Sequence, residues 1–307
     1  YAILGIHIND LNDSFYKEFR QESKSSMQKI VMKILKLQFN NEQLTEEYHK
    51  QKGIHSDMNK LKDIIIKYIE LNKSEVLSKK DSLYNKLKSK IDNDFTEDDL
   101  LFDIASYLFV SLDSTLVIMR FVIVCLGLYS NIQSEIYKEL SINGIKNEND
   151  LKSKIFFQCI RDKKLNTLQS FVWEVLRMYP VASSNNPRRV VKTFEINGFK
   201  IPKNWSYTVN IYACNLNKQS FGNDADKFNI NHFKDNNGEY ISSKNIMTFG
   251  LGARTCPGMN LAIKQAYLLT ALLVLRYDMK IDTKKALKQF GIKSVNGLGT
   301  PFPEPNV

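Results

Sequence analysis

The sequence predicts a mostly α-helical fold with a small β region, and three observations carry this prediction. Up to Tyr179, apolar residues recur mainly at the three- and four-residue spacing of an amphipathic helix. After Pro187, short apolar runs alternate with turn signals, and an Asn197-Gly198 pair favours a hairpin. The chain has 307 residues, 43% of them hydrophobic and 25% charged, so it can bury a large core as one domain or two.

The helices are predicted from apolar spacing and from signals at their ends. Thr96, with Asp99 three positions later, predicts a capping box at the start of a helix that runs to near Tyr129. This helix is apolar nearly all round, which indicates a central position. Charged residues interrupt its most apolar part, residues 100–129, so we predict a long buried helix and not a membrane span. The other predicted helices cover residues 15–37, 58–71, 131–140, 148–160, 165–179 and about 258–276.

The β region is predicted between Pro187 and the last helix. Short strands are expected at 189–192, 194–196, 199–202 and 207–210. The stretch from Asn215 to Thr248 has no regular pattern and is too long for an ordinary connection, so we expect it to be functional or packed on its own side chains. These elements suggest two regions, a helical N-terminal region at 1–95 and a second region at 96–307.

Composition and charge narrow the class of function. The net charge of +10 comes mainly from lysines scattered along helices, which suits a solvated face, or a surface that steers an acidic partner or an anionic membrane. Basic and aromatic residues do not interleave as in nucleic-acid-binding segments, so no nucleic acid partner is expected. The four cysteines are far apart, which argues against a zinc site or a disulfide framework and favours a reducing compartment. Cys125 and Cys159 lie in apolar runs and are predicted to be core residues.

The most informative segment is the decapeptide at 249–258, which reads Phe-Gly-Leu-Gly-Ala-Arg-Thr-Cys-Pro-Gly. Gly250 and Gly252 allow positive φ and leave room for something large and flat to approach the backbone. Arg254 stands two positions before Cys256, and a predicted helix follows. A cysteine beside a cation at a helix N-terminus is where a thiolate is stabilised, and a haem ligated by a cysteine thiolate fits all of these features. The alternative is a structural cysteine in a turn before a helix.

The same segment resembles the haem-binding loop of the cytochrome P450 family, Phe-x-x-Gly-x-Arg-x-Cys-x-Gly. Every fixed position of that pattern is filled, by Phe249, Gly252, Arg254, Cys256 and Gly258. The resemblance implies that Cys256 is the axial ligand of the iron of haem b.

Two arginines are candidates for binding the haem propionates, because buried carboxylates need cationic and preferably bidentate partners. Arg254 is placed by the motif, and Arg188 follows Pro187 ahead of the predicted hairpin. Arg189 could serve in place of Arg188.

Glu174 and Arg177 belong to a segment that is similar to the Glu-x-x-Arg helix of the same family. Their spacing puts them on one helical face. The ordinary interpretation of such a pair is an exposed ion pair that contributes little to stability. The resemblance implies instead a buried pair that locks the region around the haem. His232 stands where the family usually has arginine as a third member, and Ile230 where it usually has proline.

The long helix is similar to the family's distal helix over Val110 to Thr115. There an acid and a hydroxyl deliver protons for oxygen activation, roles that the resemblance gives to Asp113 and Ser114, with Thr115 beside them. The alternative is a polar pair that bonds back to the helix backbone. Val110 and Ser111 replace a small residue and a glycine of the family pattern, and Ser114 replaces the usual threonine.

The resemblance covers about residues 96–307 and implies a cytochrome P450-like fold that lacks its N-terminal part, with 96–307 as the haem-binding core. The function it implies is a haem-thiolate monooxygenase that inserts one atom of O₂ into an apolar small molecule. Electrons would come from NADPH through a reductase partner, because the chain contains no dinucleotide-binding fingerprint. The alternatives are a shortened, non-catalytic relative and a haem-thiolate isomerase or dehydratase that acts on peroxides. We expect an intracellular protein, at the endoplasmic reticulum membrane if an N-terminal anchor outside this sequence exists, and otherwise cytoplasmic.

Overall fold

The computed structural model describes residues 17–23, 25, 54–242 and 245–281, without the side chains of residues 54–57, 109, 112 and 113. Residues 17–23 are helical. The rest of the predicted helix at 15–37 and the C-terminal tail lie outside the described residues, apart from residue 25.

Most of the described chain is helical, as the sequence predicts. The α-helices are α1 (Ile54–Leu71), α2 (Lys73–Ser78), α3 (Leu83–Lys88), α4 (Glu97–Leu128), α5 (Ser130–Ile142), α6 (Glu148–Lys152), α7 (Lys154–Arg161), α8 (Asn166–Met178), α9 (Ile211–Asn215), α10 (Lys218–Phe221) and α11 (Met259–Arg276). Two 3₁₀ turns, Ile230–Phe233 and Gly252–Arg254, lie between α10 and α11.

The start of α4 forms the predicted capping box. The Thr96 backbone N–H donates to the Asp99 carboxylate at 2.9 Å, and the Asp99 N–H donates to the Thr96 hydroxyl at 3.2 Å. The hydrogen bond from the Thr96 hydroxyl lowers the pKa of Asp99. The predicted helix at 148–160 is instead two helices, because Ser153 adopts an extended conformation between α6 and α7. The Ser153 hydroxyl donates to the Asp150 carbonyl at 2.6 Å and so closes α6.

The β region consists of two short antiparallel pairs. The strands are β1 (Arg188–Arg189), β2 (Phe194–Ile196), β3 (Phe199–Ile201) and β4 (Ser206–Tyr207), and β1 pairs with β4 while β2 pairs with β3. Asn197 and Gly198 connect β2 to β3 with φ of 49° and 81°, which is the turn that an Asn-Gly pair favours. β1 and β4 each begin one residue before the predicted strands at 189–192 and 207–210, and each shares only one residue with its predicted strand.

The chain divides into two compact units, Tyr1–Asp113 and Ser114–Val307, and the division falls within α4. The predicted regions 1–95 and 96–307 stay a prediction. Each unit has a hydrophobic core of its own. In the first unit the core includes Leu61, Ile65, Val76, Leu100 and Ile104. In the second unit it includes Phe121, Phe156, Phe171, Phe233 and the two cysteines predicted to be buried, Cys125 and Cys159.

Helix α8 lies at the centre of the second unit. It packs against α5, α9, α11 and the 3₁₀ turn Ile230–Phe233. Every residue from Thr167 to Met178 is buried except the half-buried Trp173, so polar side chains on α8 must find partners inside the protein.

Glu139 on α5 caps the first turn of α8, where backbone N–H groups have no partner within the helix. Its carboxylate accepts the Thr167 N–H at 2.7 Å and the Leu168 N–H at 3.0 Å. We expect Glu139→Ala to lower the free energy of unfolding by about 0.5–2 kcal/mol, as for other lost caps. Glu135→Ala, at an exposed position on the same helix, is the matched control. Urea denaturation compares the two, and equal midpoints would contradict the role of Glu139 as a cap.

Among the described helices, none by itself has the length and hydrophobicity to span a membrane. Ser114–Leu128 and Ser130–Ile142 reach the required hydrophobicity only as a pair, and they are bent by 102° at their junction.

Candidate functional site

The loop that carries Cys256 is closed by its own backbone. The Cys256 N–H donates to the Phe249 carbonyl at 2.8 Å, and the Gly250 N–H donates to the Met247 carbonyl at 2.8 Å. Gly250 and Gly252 have φ of 70° and 75°, a conformation that side-chain-bearing residues rarely adopt. The sequence predicts positive φ at both of these glycines. Cys256 therefore sits just before α11, on a loop whose shape its glycines permit.

The exposed side of this loop is open. The Cys256 thiol is free and the residue is exposed. A Cβ built on Gly252 would meet no atom within 4 Å, so a flat group could approach the backbone there. Gly258 lies close behind the sulfur, since its Cβ would be 3.8 Å from the Cys256 Sγ. The surface thus offers a soft sulfur ligand beside free space.

Arg254 and Arg188 are the predicted partners of the propionates. Arg254 is exposed in the 3₁₀ turn Gly252–Arg254, and Arg188 is half-buried in β1. Within the described part of the chain, no carboxylate forms an ion pair with either guanidinium. The thiol, the open space and the available guanidinium groups are the features that a thiolate-ligated haem requires, so the residues fit this group.

Glu174 and Arg177 form a fully buried, bidentate pair on α8. The Arg177 Nε donates to Glu174 Oε2 at 2.8 Å and the Nη2 donates to Glu174 Oε1 at 2.6 Å, and neither side chain is exposed. Arg177 also donates to the carbonyls of Asn215, Ala225 and Lys227 at 2.9, 2.5 and 2.8 Å. Its guanidinium lies over the Phe221 ring, 5.0 Å from the centroid. One side chain therefore fixes three separate points of the irregular stretch.

His232 joins this pair from the 3₁₀ turn Ile230–Phe233. Its Nδ1 lies 3.1 Å from Glu174 Oε1, and its Nε2 lies 3.2 Å from Asp224 Oδ1. Burial by itself would lower the pKa of His232, but the hydrogen bond to Glu174 and the charge of that carboxylate outweigh it, so the pKa is raised. Asn229 adds a backbone N–H to Glu174 Oε1 at 2.7 Å and a side-chain amide to Asp224 at 2.8 Å. We call Glu174, Arg177, His232 and Asp224 the charged cluster.

Two polar residues that the sequence did not single out join the charged cluster to the cysteine loop. Asn215 is completely buried, and its side-chain amide donates to the Arg177 carbonyl at 3.1 Å and to the Thr248 hydroxyl at 2.9 Å. The Thr248 hydroxyl donates in turn to the Leu176 carbonyl at 2.7 Å. In the sequence, these two residues are marked only as the first and the last residue of the irregular stretch.

The distal residues lie in the middle of α4. Ser114 and Thr115 are half-buried, and the side chain of Asp113 is outside the described residues. Val110 is 58% exposed, and the Ser111 hydroxyl donates back to the Leu108 carbonyl at 3.1 Å. The structure thus groups the loop residues together and the charged cluster together. The proton-transfer role of Asp113, Ser114 and Thr115 stays a prediction.

Comparison with known proteins points to one family. A family model described as Cytochrome P450 matches residues 1–305. The chain is 29% identical to a Dictyostelium discoideum protein called Probable cytochrome P450 514A4, over 72% of this chain and 44% of the relative.

Two plant proteins are also similar. The ent-isokaurene C2/C3-hydroxylase of Oryza sativa subsp. japonica is 30% identical over 44% of this chain and 26% of its own length. The ferruginol synthase of Salvia miltiorrhiza is 34% identical over 39% of this chain and 24% of its own length. The chain therefore spans less than half the length of these curated relatives.

Proposed function

Since this chain belongs to the cytochrome P450 family, we propose that it is the haem-binding part of a haem-thiolate monooxygenase, with Cys256 as the axial ligand of the iron. The observation that carries the proposal is the cysteine loop, in which an exposed free thiol stands beside open space. When bound, the haem supplies the oxygen activation that places one atom of O₂ in an apolar substrate.

Each of the predicted residues has a task in this proposal. Arg254 and Arg188 bind the two propionates, as guanidinium groups can. The charged cluster holds the irregular stretch against α8 and so keeps the cysteine loop that follows it in place. Asp113 takes a proton from water and holds it. The hydroxyl of Ser114, next to Thr115, passes this proton toward the place where the substrate binds. Electrons come from NADPH through a reductase. The names of the rice and sage relatives, a hydroxylase and a synthase, support monooxygenase chemistry in general.

The test is the absorption spectrum of the haem-loaded, dithionite-reduced chain with and without carbon monoxide. We expect a strongly red-shifted Soret band in the wild type and its complete loss in Cys256→Ala, because only thiolate ligation produces this shift. Cys214→Ala, at a half-buried free cysteine in α9, is the matched control and should keep the band. A spectrum that Cys256→Ala leaves unchanged would refute the proposal.

The alternative candidates are a non-catalytic relative and a haem-thiolate isomerase or dehydratase, neither of which activates oxygen. Val110 and Ser111 stand where the family pattern has a small residue and a glycine, and this departure favours these alternatives. Turnover with reductase and NADPH would support the monooxygenase. Turnover of a lipid hydroperoxide without reductase would mark an isomerase or dehydratase, and the absence of both activities would mark a non-catalytic protein.

A further inference from the structure

The C-terminal end of α8 is capped by two side chains, one at the end of α9 and one in the segment that leads into the cysteine loop. The last carbonyls of a helix have no partner within it, and on α8 these include the carbonyls of Leu176 and Arg177. The Thr248 hydroxyl donates to the first at 2.7 Å, and the Asn215 amide donates to the second at 3.1 Å. Thr248 directly precedes Phe249, the first residue of the loop.

Asn215 uses its whole side chain at this junction. Besides donating to Arg177 and Thr248, its Oδ1 accepts the Met247 N–H at 2.9 Å. Its backbone carbonyl accepts from the Arg177 guanidinium at 2.9 Å. A fully buried amide with both donors and its acceptor engaged has one orientation, so it fixes the backbone at Met247 and Thr248.

We propose that Asn215 and Thr248 are positioning residues, which hold the cysteine loop in register with α8 and thereby aim the Cys256 sulfur. The structure also shows edge-to-face packing between the Trp173 ring of α8 and the Phe249 ring of the loop, with centroids 6.3 Å apart. Ring packing tolerates sliding, whereas a chain of directed hydrogen bonds does not. The aim of the sulfur at a haem iron rests on the proposed function, but the order of the loop does not.

The first test needs no haem. Thr248→Val keeps the shape of the side chain and removes the hydroxyl, which leaves the Leu176 carbonyl without this donor and the Asn215 amide without this acceptor. We expect hydrogen exchange of the Gly250 and Cys256 amides to become at least about tenfold faster, as the loss of these two partly buried hydrogen bonds predicts. Amides of α5 should keep their rates, and Thr248→Ser should restore the slow exchange of the loop.

Thr270→Val is the control, because the Thr270 hydroxyl also donates to a backbone carbonyl, that of Ala266 at 2.7 Å, although Thr270 is fully buried and Thr248 is half-buried. Equal exchange of the loop amides in the two valine variants, or a uniform increase through the second unit, would overturn the proposal.

The second test uses the haem-loaded chain. We expect Thr248→Val to reduce the fraction of bound haem with the red-shifted carbon monoxide band, and Thr248→Ser to restore it. An unchanged fraction in Thr248→Val would overturn the aiming of the sulfur. If the wild type shows no such band, the proposed function fails, and the hydrogen exchange result alone then decides whether Asn215 and Thr248 position the loop.

Discussion

Replacing Arg177 by methionine is expected to lower the free energy of unfolding of the second unit by about 3–5 kcal/mol, as when one partner of a buried ion pair is removed. The variant leaves the Glu174 carboxylate buried without its bidentate partner. It also removes the donor to the carbonyls of Asn215, Ala225 and Lys227. Single domains are stable by about 5–15 kcal/mol, so this loss is a large share of the whole.

The chain contains a matched control for this experiment. Arg276 also forms a two-point ion pair, with Glu148, but both side chains are nearly half exposed, at 45% and 44%. Water screens such pairs and solvates the partner that remains, so Arg276→Met should leave stability almost unchanged. Urea denaturation followed by far-ultraviolet circular dichroism measures both variants. If the two midpoints fall by the same amount, burial does not determine how much the Arg177–Glu174 pair contributes to stability.

The sequence predicts much of the site because much of it is local. The cysteine loop depends on residues within ten positions, and its glycines adopt the positive φ that their lack of a side chain permits. Glu174 and Arg177 are placed on one face by helix geometry alone. The hairpin turn at Asn197 and Gly198 is likewise set by the conformational preferences of two adjacent residues.

The parts that sequence reasoning missed depend on contacts between distant segments. Asn215 and Thr248 are 33 positions apart, and each bonds to a backbone carbonyl of α8. Backbone carbonyls are the same at every residue, so no side-chain pattern marks them as partners. Asp224, the second carboxylate at His232, is 8 positions from it in an irregular stretch, where no helical or strand periodicity relates the two. The limits of β1 and β4 depend in the same way on which residues pair across the sheet, as Arg188 does with Tyr207.

The two carboxylates around His232 make the stability of the second unit depend on pH. A neutral imidazole has one N–H group and can donate to one carboxylate only, whereas the two ring nitrogens of His232 face Glu174 and Asp224. The protonated ring satisfies both. Arg177 also faces the ring and opposes its charge, and the Phe221 ring packs edge-on against it, but the pKa of His232 is still raised. The hydrogen bond from Asn229, followed by that from His232, lowers the pKa of Asp224, so the second carboxylate stays charged.

We therefore expect the free energy of unfolding to fall as pH rises above about 6.5, the ordinary pKa of histidine, through the raised pKa of the folded protein. The sign follows from proton binding: the folded chain holds the proton to higher pH than the unfolded chain, so the stabilisation is complete below 6.5 and is lost on the alkaline side. His232→Gln should cost about 1–3 kcal/mol at pH 6, since it removes a charged donor from the buried Glu174 carboxylate, and the cost should shrink as pH rises. His232→Arg carries a charge that does not titrate, so its stability should lack this component of the slope. Urea unfolding of the three proteins from pH 6 upward measures the difference, and a wild-type slope that persists unchanged in His232→Gln would show that another group is responsible.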